Sequence, residues 1–273
     1  MREVAEWQSS SFYATSLAKM LASAGAFILA AFLIEQALFT ASWFPRLTKE
    51  NQARRKAWRA RNTAVSFLHS TVSGFWALSS FCFYPDTMKD MIFATNAYNY
   101  HMCLFSLGYF LYDVQDMLRH DRSARTYELL FHHFVCILCF GSAVLVDKLY
   151  AFVAVALLME LNSICLHLRL LTNIFGLPKS SAFYRSISLG NIGYFVVFRL
   201  LTIGWMLRWV LSRRGLLPAL YFALGSGGLT AMIVVNLALF YRLLVADHFL
   251  ASPKTEPVCS TSTETEQIVR KVN

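Results

Sequence analysis

The sequence predicts an all-α fold, a polytopic membrane helix bundle. Hydrophobic residues make up 56% of the 273 and charged residues only 15%, against about 25% charged in soluble domains. The mean hydropathy is +0.46. The apolar residues form long runs separated by short polar segments, and the basic residues collect in those segments, as they do in membrane proteins. These observations exclude a soluble globular domain.

Seven apolar runs are long enough to cross a bilayer, for which about 20 helical residues suffice. They cover residues 17–39, 62–83, 97–118, 128–146, 149–171, 182–209 and 217–245. The first run is either a retained span or a cleaved signal peptide. Its N-terminal flank carries Glu3 and Glu6 with few bases, and the run is long for a signal sequence, so a retained span is favoured.

The segment between the first two runs is the most basic part of the chain. The positive-inside rule places this segment in the cytosol and the N-terminus outside. The formal net charge of +9 is therefore interpreted as attraction to anionic inner-leaflet lipid at the Arg46–Arg61 loop, not to nucleic acid. Against the single acid Glu50, the segment holds Arg46, Lys49, Arg54, Arg55, Lys56, Arg59 and Arg61.

The six cysteines predict neither a disulfide framework nor a metal site. Five lie in apolar runs, and Cys259 lies near the C-terminus. Cys136-x-x-Cys139 matches half of a zinc motif, but no second half follows, so buried free thiols are the favoured interpretation. Residues 251–273 are rich in Ser, Thr, Glu and Lys without apolar periodicity, which predicts a disordered tail.

Polar side chains inside the apolar runs mark candidate sites, because a carboxylate at the centre of a membrane helix costs about 2.5–3.5 kcal/mol. In the second run, Asn62, Ser66, His69 and Ser73 repeat with helical spacing and lie within about 40° on one face. Hydrogen bonding between helices is the alternative for the serines. For His69 we expect a cavity-lining role.

Asp113 and Asp116 lie one turn apart near the end of the third run, so both can face the same way. Two interpretations remain open. Either the two carboxylates belong to an interior site, or they are solvated at the cytosolic end and paired with Arg119 and Arg122.

His132 and His133 are adjacent near the start of the fourth run. Consecutive residues of a helix point about 100° apart, so the two imidazoles cannot share a direction. We expect one to face a central cavity and the other to bond a neighbouring helix.

The fifth run places Glu160 near its middle, with His167 almost in line and Ser163 beside them, whereas Asn162 lies on the opposite side. Polar groups on two sides predict an interior helix. Arg199 in the sixth run is a candidate partner for Glu160 or for one of the aspartates.

Five motifs in this order resemble the TLC-domain family of membrane proteins. They are RNTAVSFLHS, SLGYFLYDVQDML, ELLFHH, LLMELNSICLHLRLL and FRLLTIGWM. The resemblance covers roughly residues 54–250 and implies a six-helix bundle after one N-terminal span. It divides the chain into residues 1–53 with the first span and basic loop, the TLC domain at 54–250, and the tail at 251–273.

The resemblance implies a function in lipid metabolism. Members of the similar subgroup are multi-pass plasma membrane proteins that regulate phospholipid composition. They limit incorporation of long-chain polyunsaturated acyl chains into phospholipids and so keep the membrane less fluid. The partners implied are membrane phospholipids and fatty acyl chains, with no cofactor.

The same domain in ceramide synthases uses acyl-CoA, and there the paired histidines, which His132 and His133 match, belong to the active site. This chain reads MELNS where those enzymes carry two aspartates, so a regulator without turnover is favoured. An acyltransferase is the alternative, with acyl-CoA as substrate and a base assembled from a histidine, Glu160 and Asp113. The intramembrane charges alone also fit a channel or transporter.

Overall fold

The computed structural model describes the backbone of residues 2–40 and 50–246, which form nine α-helices and no strand. The predicted all-α bundle is confirmed. A 3₁₀ turn covers Pro85–Met88, and a π-helical segment covers Val196–Leu201. The α-helices are α1 Arg2–Thr40, α2 Glu50–Phe83, α3 Ala97–His120, α4 Ala124–Val146, α5 Tyr150–Leu157, α6 Glu160–Ile174, α7 Ala182–Phe195, α8 Thr202–Ser212 and α9 Ala219–Ala246.

Five helical stretches in the described part of the chain are long and apolar enough to cross a membrane. They are Ser10–Leu38, Ala124–Val146, Tyr150–Ile174, Ala182–Ser212 and Ala219–Ala246. The other two predicted spans, α2 and α3, have 34 and 24 residues, so they are long enough but too polar to qualify by composition. Several of their polar side chains, among them His69, Asn99 and Asp113, are buried among other helices, which explains how long helices of this composition fit the bundle.

Two boundaries differ from the sequence prediction. The predicted second span begins at residue 62, but α2 already begins at Glu50, so part of the basic loop is helical. The fifth span is interrupted at Leu158 and Met159, whose amides bond three residues back. Residues 41–49, which include Arg46 and Lys49, and the tail 251–273 with Cys259 lie outside the described residues.

Short polar side chains begin several helices. Asn96, Ser123 and Ser181 accept hydrogen bonds from backbone amides three residues ahead and cap α3, α4 and α7. These bonds satisfy amides that have no partner within the helix. Just after the C-terminal end of α6, Gly176 adopts a positive φ of 77°, a backbone conformation that glycine tolerates best.

The helix α1 packs mainly along α3, and α2 packs along α6. Part of the surface of α1 is apolar and exposed: Ile28, Leu29, Phe32 and Leu33 are each more than half accessible, at 53–58%. In water such a face would be unfavourable, whereas in a bilayer it contacts acyl chains. The bundle is thus built to be surrounded by lipid.

Candidate functional site

A cavity of about 1070 Å³ lies between α4, α5, α6, the π-helical segment, α8 and α9. Most of the wall is apolar, including Phe152, Leu157, Met206, Trp209, Leu224 and Met232. Its ionisable side chains include His132, Glu160 and Arg199. The wall is thus mainly apolar, with these few ionisable groups set into it.

Both charged side chains of this cavity come from irregular backbone. Glu160 is the first residue of α6, directly after the interruption at Leu158 and Met159. Arg199 lies inside the π-helical segment. Such interruptions of membrane helices are tolerated next to cavities and frequently mark functional sites.

Glu160 is held against α2. The Ser70 hydroxyl donates a hydrogen bond of 2.7 Å to Glu160 Oε2. One turn further along α2, Gly74 lets the two helices approach, since a Cβ at Gly74 would lie 3.1 Å from the Leu161 amide nitrogen. The absence of a side chain at position 74 therefore sets the position of the carboxylate.

We expect Gly74→Ala to lower the free energy of unfolding by about 1–3 kcal/mol, the usual effect of overpacking. The added methyl group forces α2 away from the backbone at Leu161. Thermal unfolding in detergent measures the effect. Gly141→Ala is the matched control, because nothing lies within 4 Å of a Cβ there. Equal unfolding temperatures for the two variants would show that α2 and α6 are not tightly packed.

The Arg199 guanidinium is fixed between two helices. It donates hydrogen bonds of 2.8 Å to Asn236 Oδ1 on α9 and 2.8 Å to Ser163 Oγ on α6. Sequence reasoning expected Glu160 or an aspartate as the partner. The hydrogen bonds go to neutral side chains, whereas Glu160 interacts with the guanidinium electrostatically. The two neutral partners orient the guanidinium, and the Glu160 carboxylate in the same cavity wall partly balances its charge.

The two adjacent histidines have different environments. His132 lines the cavity, and its Nε2 lies 3.6 Å from Cys136 Sγ. His133 is buried on the other side of α4 and does not line the cavity; its Nδ1 lies 3.4 Å from Asp113 Oδ2. Asp113 also accepts a 2.6 Å hydrogen bond from Asn62. Of the four catalytic candidates, the structure therefore places His132 and Glu160 at the cavity and His133 and Asp113 behind it.

His69, for which we expected a cavity-lining role, lines neither the cavity above nor the one between α1, α2 and α3. The side chain is fully buried and stacks on Tyr109 at 3.8 Å between ring centroids. Its Nε2 lies 3.3 Å from Ser106 Oγ, and Phe27 of α1 packs against its edge. These aromatic rings from α1 and α3 fill the space around the His69 side chain. The neighbouring Ser66 hydroxyl donates to the backbone oxygen of Asn62.

A second polar cluster lies near the end of α3. Asp116 accepts hydrogen bonds from Arg61 at 2.5 Å, Trp58 at 2.9 Å and Asn62 at 3.1 Å. Arg61 also donates to Glu35 of α1 at 2.7 Å. Asp116 and Asp113 thus face the same way and share Asn62, but the arginine that pairs with Asp116 is Arg61, not Arg119 or Arg122. Sequence reasoning missed Glu35, although an acid inside an apolar run was the signal.

The remaining polar residues of α6 lie on two sides, as their spacing predicted. Ser163 is buried against Arg199, and His167 is half-buried and electrostatically coupled to Glu160. On the opposite side, Asn162 donates a 2.9 Å hydrogen bond to Asn191 of α7. The helix is therefore interior to the bundle.

The family model for the TLC domain matches residues 59–245, a region that contains His132, Glu160 and Arg199. The chain belongs to the TLC domain family. It is 42% identical over 204 residues to TLC domain-containing protein 2 of Danio rerio, covering 75% of this chain and 82% of that protein. The human TLC domain-containing protein 2 is 35% identical over 208 residues, with coverage of 76% and 78%.

A paralogue is also similar. Human TLC domain-containing protein 1 is 29% identical over 192 residues, covering 70% of this chain and 76% of that protein. The matched domain begins within α2, so α1 lies outside it.

Proposed function

We propose that this protein regulates membrane phospholipid composition by binding fatty acyl chains in the cavity between α4 and α9. In this role it limits the incorporation of long-chain polyunsaturated acyl chains into phospholipids and makes the membrane more rigid. The plasma membrane is its proposed location. The observation that carries the proposal is an apolar cavity with Arg199 and Glu160 in its wall.

The cavity chemistry supports an acyl chain over other ligands. An alkyl tail that enters from the bilayer exchanges lipid contacts for van der Waals contacts with the apolar wall, so its methylene groups stay out of water. The polar head of the same molecule meets the Arg199 guanidinium, whose hydrogen-bond partners are neutral. A water-filled ion pathway needs polar residues along its length. They do not dominate this wall, so the wall does not favour a channel.

Deleting the gene should raise the polyunsaturated phospholipid content of cells fed long-chain polyunsaturated fatty acids. Re-expression should restore the lower content, and a variant with a filled cavity should not. Gly225→Leu fills the cavity, because Gly225 lines it beside Val210. Gly227→Leu is the matched control on the same helix, exposed and with nothing within 4 Å of its Cβ.

Lipidomics by mass spectrometry gives the readout. Restoration by Gly227→Leu but not by Gly225→Leu is the expected pattern. An unchanged lipidome after deletion, or full restoration by both variants at equal protein levels, would remove the proposal.

An acyl-CoA-dependent lipid acyltransferase is the second candidate, favoured by one observation: His132 and Glu160 line the same cavity. In such a reaction His132 takes the proton from an acceptor hydroxyl or amine as the acceptor attacks the thioester carbonyl. The new ester or amide forms, the carbon–sulfur bond breaks, and CoA leaves as the thiol with a proton returned by the imidazolium.

Purified protein supplied with acyl-CoA and either lysophospholipid or amine acceptors separates the two candidates. The acyltransferase predicts product formation that His132→Ala lowers by about 10²–10⁴-fold, the usual contribution of a general base. His101→Ala, an exposed position on α3, should leave turnover unchanged. If no product forms with any acceptor, the result supports regulation without turnover.

A further inference from the structure

A second cavity, of about 670 Å³, lies between α1 and the facing ends of α2 and α3. One side is the apolar face of α1, with Ile28, Ala31 and Phe32, and the other side is polar. It lies at the end of the bundle where α2 begins and α3 ends, which the positive-inside rule assigns to the cytosol. The acyl-chain cavity shares none of its lining residues.

Two buried polar groups at this second cavity have no hydrogen-bond partner among the described residues. Tyr112 is only 5% exposed, and its hydroxyl is unpaired. The Nε of Arg61 is buried and unpaired as well. An unpaired buried polar group is unfavourable by about 1–3 kcal/mol, and few such groups survive without a ligand or a role.

The formal charges of the second cavity cancel. Arg61 and Arg119 are basic, whereas Glu35 and Asp116 are acidic. Arg61 is bound to both acids. Arg119 is exposed and forms no ion pair with the described residues. His120 stacks on Trp58, and its Nδ1 lies 2.8 Å from the Asp116 backbone oxygen.

A ligand that carries both charges matches this arrangement better than an anion. A phosphate near Arg119 and the Tyr112 hydroxyl would gain charge-assisted hydrogen bonds. A phosphate on a ligand without a cationic group would be repelled by the Glu35 carboxylate, whose side chain is 39% exposed. A cationic group on the ligand removes that repulsion, because it is attracted by the Glu35 carboxylate. The apolar wall of α1 suits one acyl chain of the same molecule.

We propose that the second cavity binds the headgroup of a zwitterionic phospholipid from the cytosolic leaflet. Arg119 and Tyr112 hold the phosphate, and Glu35 faces the cationic group. The site needs α1, which lies outside the TLC domain match, together with α2 and α3 of the domain. It is a second lipid site, independent of the proposed acyl-chain cavity.

Native mass spectrometry of the full chain tests the proposal. The protein is equilibrated with equal parts of dioleoyl-phosphatidylcholine and dioleoyl-phosphatidylglycerol, which differ only in the headgroup. Besides phosphatidylglycerol held by the basic loop at residues 46–61, we expect retention of phosphatidylcholine. Tyr112→Phe, which keeps the ring, should lower that retention about twofold to tenfold, as expected for one lost hydrogen bond. Arg119→Gln should lower it at least as much, since it removes a charge.

Two further variants make the test specific. Arg122→Gln changes an exposed arginine three positions from Arg119 that does not line the cavity, and it should have no effect. Glu35→Gln removes a negative charge and should shift the preference towards phosphatidylglycerol. Phosphatidylcholine retention that Tyr112→Phe and Arg119→Gln leave unchanged, or an equal loss in Arg119→Gln and Arg122→Gln, would overturn the proposal. Displacement of the lipid by inorganic phosphate would assign the site to an aqueous anion and would overturn it as well.

Discussion

Replacing Arg61 by methionine should lower the free energy of unfolding by about 3–5 kcal/mol, the usual effect of removing one partner from a buried ion pair. Arg61 bonds Asp116 of α3 and Glu35 of α1, so it connects three helices. Asp116 is 8% exposed. Without Arg61 its carboxylate keeps the hydrogen bonds from Trp58 and Asn62 but loses the only arginine that contacts it among the described residues.

Reversible unfolding in detergent micelles measures this loss. Arg59→Met is the matched control, because Arg59 lies two positions earlier on the same helix and is exposed. We expect the control to change stability by less than about 0.5 kcal/mol, as most surface substitutions do. Adding Asp116→Asn to Arg61→Met should recover part of the lost stability, since the two residues are coupled. Equal stabilities of the Arg61 and Arg59 variants would contradict the role assigned to this cluster.

Gly108→Ala should separate α1 from α3 and lower the free energy of unfolding by about 3 kcal/mol, at the upper end of overpacking effects. A Cβ at position 108 would lie 2.5 Å from Ser23 Cβ and 2.7 Å from the Met20 carbonyl oxygen. Because the second of these atoms is backbone, a side-chain rotation cannot relieve the clash. The Ser23 hydroxyl also bonds the Phe105 carbonyl, and this bond would break with the contact.

Thermal unfolding measures the stability of this variant, and the native mass spectrometry described above reports on the second cavity. Gly25→Ala is the control, since Gly25 lies on the same α1 with nothing within 4 Å of its Cβ. We expect Gly108→Ala to lose phospholipid retention and Gly25→Ala to keep it. Equal stability of the Gly108→Ala and Gly25→Ala proteins would mean that α1 does not pack on α3 as described.

Much of the fold follows from hydropathy and helical periodicity. Apolar runs separated by polar segments predicted the helices, and the i, i+3 spacing placed Asp113 and Asp116 on one face, where both contact Asn62. The 100° separation of His132 and His133 required different environments for the two imidazoles. It did not indicate which one lines a cavity, because that depends on how α4 is rotated against α3 and α9.

The rest of the site depends on contacts between distant parts of the chain. The helix interruption before Glu160 and the π-helical turn at Arg199 contain no glycine or proline, the usual signals of a break. The Glu35–Arg61 pair joins a residue before the basic segment to one at its end. For His69, periodicity identified the interior face correctly, but the aromatic rings that fill that interior come from α1 and α3.

Photo-crosslinking with a fatty acid that carries a diazirine near its methyl end tests the acyl-chain cavity most directly. The adducts can be mapped by peptide mass spectrometry along α9, which has a cavity side and a lipid side. Binding in the cavity predicts adducts at Leu224 and Met232, which line it, and their loss in Gly225→Leu. Adducts confined to Leu220 and Val234, both 64% exposed, and unaffected by Gly225→Leu would show that the fatty acid stays outside the bundle.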